Sequence, residues 1–188
     1  MIASSYLNNQ FLIAMPGLTD RDFAHTVTYL CQHSAEGAVG IIINRPTTMK
    51  LGDIFAQMNI DPISRSSANS PVYIGGPVQP ERGFVIHNSS EEQWDSSIAI
   101  SETVSLTSSR DILEAIAKGE GPPHYLIALG YAGWSAGQLE KEIVENAWLH
   151  TPYAEAILYH TPVSQRWNEA ANLLGININL LAAVAGHG

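Results

Sequence analysis

The chain has 188 residues, 45% of them hydrophobic and only 14% charged, with 18 acidic against 9 basic side chains and a formal charge of −9. That length and apolar content are ample for a hydrophobic core and exclude intrinsic disorder. The acidity argues against nucleic acid and anionic membrane as partners, and the single cysteine excludes an internal disulfide or a cysteine-built zinc cluster.

Met1-Ile2-Ala3-Ser4-Ser5 has no basic segment leading into an apolar one, and no apolar run approaches the ~20 residues that span a bilayer. A soluble, cytoplasmic protein is expected. Phe11 to Met15, closed by Pro16-Gly17, reads as a buried strand. Thr26 to Gln32 is a second strand, rich in β-branched and aromatic residues, and Ala38 to Ile43 a third, with a short hairpin link between them. Leu51, Ile54, Phe55 and Met58 form the stripe of an amphipathic helix. The polar stretch from Asp61 to Pro71 is a loop, and Val72 to Ile74 and Phe84 to Ile86 are short strands around Gly75-Gly76-Pro77. Ile98 to Leu106 supplies one or two strands. Ser108 or Ser109 caps a helix that Gly119 ends.

Tyr125 to Leu129 reads as a buried strand, and Ser135-x-x-Gln138 as a capping box that opens a helix. Thr161-Pro162 opens another helix, with Val163, Trp167, Ala170, Ala171 and Leu174 as its stripe. The strict alternation of Ile176, Ile178 and Leu180 with two asparagines predicts a final strand. Strands dominate the first half and helices mix with strands in the second, without βαβ regularity. An α+β fold with a mixed sheet follows, and no linker divides residues 1–188, so one domain is expected.

The well-marked catalytic and nucleotide-binding motifs are absent. The strongest local feature is Gly130-Tyr131-Ala132-Gly133-Trp134-Ser135-Ala136-Gly137-Gln138. Read as a strand-to-helix turn, it offers free backbone N–H groups to an anion, with Tyr131 and Trp134 placed to stack on a planar ligand. Read as scaffold, the glycines only turn the chain and the aromatics fill the core. Asn44-Arg45 follows a buried strand, where an arginine either clamps a carboxylate or phosphate or caps the sheet through an ion pair with an acidic loop. Gly75-Gly76 allows close backbone approach or makes a plain turn.

Cys31 and His33 lie two apart on one strand and so on one face, the arrangement of a thiolate nucleophile or of a buried small hydrophobe beside a histidine. His87 ends a strand and suits a general base or a simple bond to a loop carbonyl. Glu140, Glu142 and Glu145 read as a solvated helix face. The 7 histidines show no metal-ligand spacing, so neither metal nor cofactor is expected.

These stretches together resemble the AlgH/YqgE-type bacterial proteins. The similarity is carried by Phe11 to Pro16, Gly37 to Pro46, Gly75-Gly76-Pro77-Val78, Gly83 to His87, Gly130 to Trp134, Gly137 to Glu140, Asn146 to Leu149 and Ala185-Gly186-His187. Departures are Arg21 and Val39, where the family pattern has proline and methionine, and Ser135-Ala136 in place of Gly-Pro. The resemblance implies a cytosolic bacterial protein whose bifurcated sheet wraps into a pseudo-barrel flanked by helices. Members carry the label of transcriptional regulator, to which an acidic chain without a basic arm lends little.

The leading expectation is a non-enzymatic binding or regulatory module for a small anionic ligand or a protein partner. Its surface would be built from Asn44, Arg45, Gly75, Gly76, Gly130, Tyr131, Gly133, Trp134 and Gln138. The alternatives are an enzyme using Cys31 or His87, and direct regulation of DNA.

Overall fold

The computed structural model describes residues 6–185 apart from positions 64, 90 and 92. The features read at Met1 to Ser5 and at Gly186-His187 lie outside the described residues. The first strands are β1 (Gln10–Ala14), β2 (Val27–Ser34), β3 (Gly37–Ile42) and β4 (Pro46–Lys50). Helices α1 (Leu51–Gln57) and α2 (Arg65–Ala68) follow, then strands β5 (Pro71–Ile74), β6 (Val78–Asn88), β7 (Ser97–Ala99) and β8 (Val104–Thr107). The second half holds α3 (Arg110–Ala117), β9 (Tyr125–Ser135), α4 (Gln138–Val144), β10 (Trp148–Pro152), α5 (Glu155–Tyr159), α6 (Arg166–Asn172) and α7 (Ile178–Ala185).

The sheet runs β10-β1-β2-β3-β9-β6-β8-β7, with β5 parallel to β9 and β4 antiparallel to β5. Strand β9 is where it forks. Tyr125 to Tyr131 pair with β6, and Ile127 to Leu129 also with β5, whereas Ala132 to Ser135 pair with β3. Gly130 sits at the fork with φ +76°, a conformation that favours glycine. The result is the α+β architecture expected from the sequence: a single domain with a mixed, forked and curled sheet flanked by helices.

Three apolar clusters fill the space between sheet and helices. Phe11, Tyr29, Ile41, Ile86 and Leu126 pack with residues of α5, α6 and α7. Leu12, Leu30, Trp134 and Trp148 pack with Leu139 of α4. Leu51 and Phe55 of α1 meet Ile112 and Ile116 of α3 over Val85 and Ile127.

Two readings are corrected. The stretch from Gly130 to Trp134 is not a strand-to-helix turn: it lies inside β9, one of the two longest strands, and α4 begins only after Gly137. Gly130 keeps the ladder because it lets the backbone pack on that of Gly76. The alternating stretch from Ile176 to Leu180 is not a strand. Asn177 Oδ1 accepts the Asn179 N–H, the Asn177 carbonyl accepts the Leu180 N–H, and a Leu/Ala-rich run continues as α7. Among the described residues no helix is long and apolar enough to cross a membrane.

Candidate functional site

The glycine-bearing stretches do meet, but backbone to backbone. A Cβ on Gly75 would overlap the Gly130 carbonyl, and one on Gly76 would overlap the Tyr131 carbonyl group. No room for a ligand is left between them. Gly133 lies in β9 opposite Val39, and Tyr131 is half-buried with its ring edge-on to Phe84 at 5.9 Å. Trp134 is 6% exposed and packs edge-on to Trp148 at 5.9 Å, so its faces are occupied by core. Gln138 reaches back with Oε1 to accept the Ser135 N–H at 2.9 Å, but Ser135 ends β9 and Gly137 is the N-cap of α4, so the expected capping box does not open this helix.

Asn44 and Arg45 hold the loop before β2. Asn44 Oδ1 accepts the Val27 N–H and its Nδ2 donates to the His25 carbonyl, both at 2.9 Å. Arg45 donates to the Arg21 and Ala24 carbonyls, each at 3.0 Å. The arginine is thus occupied by backbone carbonyls, and among the described residues no carboxylate forms the expected ion pair with it.

Cys31 and His33 do not form a pair. A β-bulge between Leu30 and Gln32 interrupts the alternation of β2. Cys31 packs with Phe11 and Tyr29, and its Sγ donates to the Tyr29 carbonyl at 3.6 Å. Burial pushes its thiol pKa up to about 12, which removes thiolate at neutral pH. His33 Nδ1 accepts the Leu7 N–H at 3.0 Å, so its Nε2 carries the proton and donates to Glu140. His87 Nδ1 donates to the Asn88 carbonyl at 2.9 Å, and Nε2 lies 2.7 Å from Thr107 Oγ1. Burial lowers its pKa, opposed by the carbonyl bond. On α4, Glu140 takes the His33 proton donor, Glu142 accepts from Trp148 Nε1 at 3.4 Å and Glu145 faces Lys141 at 3.8 Å.

Open space lies elsewhere. One cleft of about 440 Å³ is apolar, lined by Met49, Ile54, Met58, Phe84, Leu113 and Leu129, with Glu81 and Arg110 beside them. A second, of about 290 Å³, is polar and lies between the starts of β5 and β9 and the segment from α5 to α6. Tyr73, His124, Tyr159, His160 and Arg166 line it.

Arg166 is 5% exposed. Its Nε donates to the Thr161 carbonyl at 3.0 Å, its Nη1 donates to the Ile43 carbonyl, and its Cζ stands 5.2 Å from the Tyr73 ring centroid. Among the described residues no carboxylate lies within ion-pair distance of it. Burial draws its pKa down and Tyr73 counters, yet a guanidinium keeps its charge in any accessible range. The Tyr159 hydroxyl is buried with no hydrogen-bond partner among the described residues. Burial raises its pKa, so it remains a donor.

Sequence reasoning missed this cleft. Its signal was a charged residue on an apolar helix face, since Arg166 falls between Val163 and Ala170 of the predicted stripe. His124, Glu155 and His160 also come together here although no local spacing announces them.

A family model described as AlgH-like matches residues 11–179. A UPF0301 protein of Methylococcus capsulatus is 54% identical over 185 residues, covering 98% of each chain. One of Thioalkalivibrio sulfidiphilus is 54% identical over 187 residues, covering 100% of both. The solution structure of the AlgH protein from Pseudomonas aeruginosa superposes with a TM-score of 0.79 at 44% identity, over 97% of this chain and 96% of that one. The crystal structure of protein DIP2367 from Corynebacterium diphtheriae shares the fold, with a TM-score of 0.76 at 17% identity over 97% and 94% of the two chains.

Proposed function

The chain belongs to the AlgH-like family, and we propose that it is a non-enzymatic cytosolic binding module for a small anion, carboxylate or phosphate, held at Arg166 in the polar cleft. The observation that carries this reading is a buried cation with no carboxylate partner. Taking a charge out of water costs several kcal/mol unless an opposite charge or a full set of hydrogen bonds compensates. Two backbone carbonyls and the Tyr73 face supply part of that compensation. An anion in the cleft supplies the rest. In a chain of net charge −9 this cation is a local exception to the field of the whole molecule, which suits a small ligand better than a duplex.

The test is thermal stabilisation and calorimetric titration with inorganic phosphate and with short di- and tricarboxylates. A ligand at 100 times its Kd adds about 2.7 kcal/mol. For a domain of this size that raises Tm by about 5–10 °C. Arg166→Lys keeps the charge but loses the planar fork, and should weaken binding by about tenfold or more. No stabilisation by any of these anions, or equal binding by wild type and Arg166→Lys, defeats the proposal.

A further inference from the structure

His124 precedes β9, Glu155 opens α5 and His160 caps its other end. One ligand atom from each, an imidazole nitrogen or a carboxylate oxygen, lies within 4.8 Å of the other two. The His124 Nε2 to Glu155 Oε1 distance is 3.9 Å, and the two imidazole centroids are 4.8 Å apart with planes at 88°. We propose that these three side chains form a binding site for a divalent transition metal of the zinc class. The inference stands apart from the anion reading, since it rests on different side chains and is tested with the metal alone.

Zinc is held tetrahedrally at about 2.0–2.2 Å by imidazole nitrogen and carboxylate oxygen, which sets neighbouring donors about 3.3–3.5 Å apart. The observed spacing needs a closure of up to about 1.5 Å to reach that tetrahedral spacing, within reach of side-chain rotation because Glu155 and His160 are exposed and His124 is half-exposed. The backbone that carries them is already fixed. Asn88 Oδ1 accepts the His124 N–H at 3.0 Å, and the His160 N–H donates to the Ala156 carbonyl at 2.8 Å. The His124 ring also stacks on Tyr159, 5.7 Å between centroids and 24° between planes, which limits its rotation. Two imidazoles and one carboxylate are a nitrogen and oxygen set that suits Zn²⁺ and Co²⁺ over Mg²⁺ or Ca²⁺. Three protein ligands leave one tetrahedral position for water or for a donor from the adjoining cleft.

The experiment uses the untagged full chain stripped with a chelator. Zn²⁺ is titrated calorimetrically, and Co²⁺ is followed by its visible d–d absorption. One equivalent of either metal is expected to bind. His124→Ala and His160→Ala should each weaken binding by at least about 100-fold, since even outer partners of metal ligands cost 10–100-fold. His150→Ala, a control that removes a histidine bonded to Gln10, should leave binding unchanged. Arg166→Lys should also leave it unchanged, which separates this site from the anion proposal. Failure of Zn²⁺ and Co²⁺ to bind at 100-fold excess identifies the cluster as an ion pair only and overturns the inference. So does binding that survives both histidine variants.

Discussion

His87 is bonded at both ends of its ring. The Asn88 carbonyl can only accept, so Nδ1 bears a proton, and Nε2 lies 2.7 Å from the Thr107 hydroxyl, which donates its own proton to Ser97 Oγ. Because burial sets the folded pKa below the ordinary 6.5, the unfolded chain binds more protons between the two values. Stability therefore rises with pH through that window, is fully present above about 6.5 and is lost as pH falls toward the folded value. Thermal melts of wild type between pH 7.5 and pH 5 should show a steeper loss of Tm than melts of His87→Asn. Identical slopes would show that this imidazole is not a source of acid sensitivity. Cys31 is the same kind of residue seen through a thiol: chemistry suppressed by packing, not prepared by it.

At the scale of elements, Gly130 of β9 and Gly75-Gly76 of the β5–β6 connection make one joint. Gly76→Ala forces a methyl against the Tyr131 carbonyl group and should cost about 2–3 kcal/mol. That corresponds to about 5–10 °C in Tm for a domain of this size. Gly83→Ala is the matched control, since a Cβ there meets only Leu129 Cδ2 at 3.9 Å. Equal melting of the two variants would refute the close-packing account. The same joint explains where sequence reading stopped. Strands β1, β2 and β3 were legible because apolar runs bounded by turn residues encode them, and α1, α3 and α6 because their stripes do. The glycines within β9 read as a turn because local chemistry cannot tell a bend from a close approach to a strand distant in sequence. β4 and β10 carry weaker apolar patterns and owe their form to partners, β4 to β5 and β10 to β1. The arginine of the polar cleft was visible as an anomaly on a helix face. The histidines were not, because His124 and His160 are brought together only by the way α5 returns to the start of β9.

For the molecule as a whole, β9 belongs to both arms of the fork, so neither arm keeps its ladder if the other is lost. One cooperative transition follows. The tryptophans report on it from different places: Trp134 and Trp148 in the cluster against α4, Trp167 beside Ala14 and Trp94 in the cluster between α1 and α3. Unfolding midpoints from tryptophan fluorescence and from far-UV circular dichroism should coincide, and the calorimetric and van't Hoff enthalpies should agree. Two separated transitions would mean that the arms fold independently.

Among the described residues the strand order also leaves free margins, at β10, at β7 and along β4. An unpaired margin is a template on which a second chain can add a strand. Here each margin is blunted in its own way. β7 is three residues long, β10 ends on Pro152, and β4 begins with Pro46 and ends with Lys50. A proline offers no N–H to an incoming strand, a lysine brings charge, and three residues give too short a ladder to hold one. A sheet of this width can thus remain open without recruiting copies of itself into fibres.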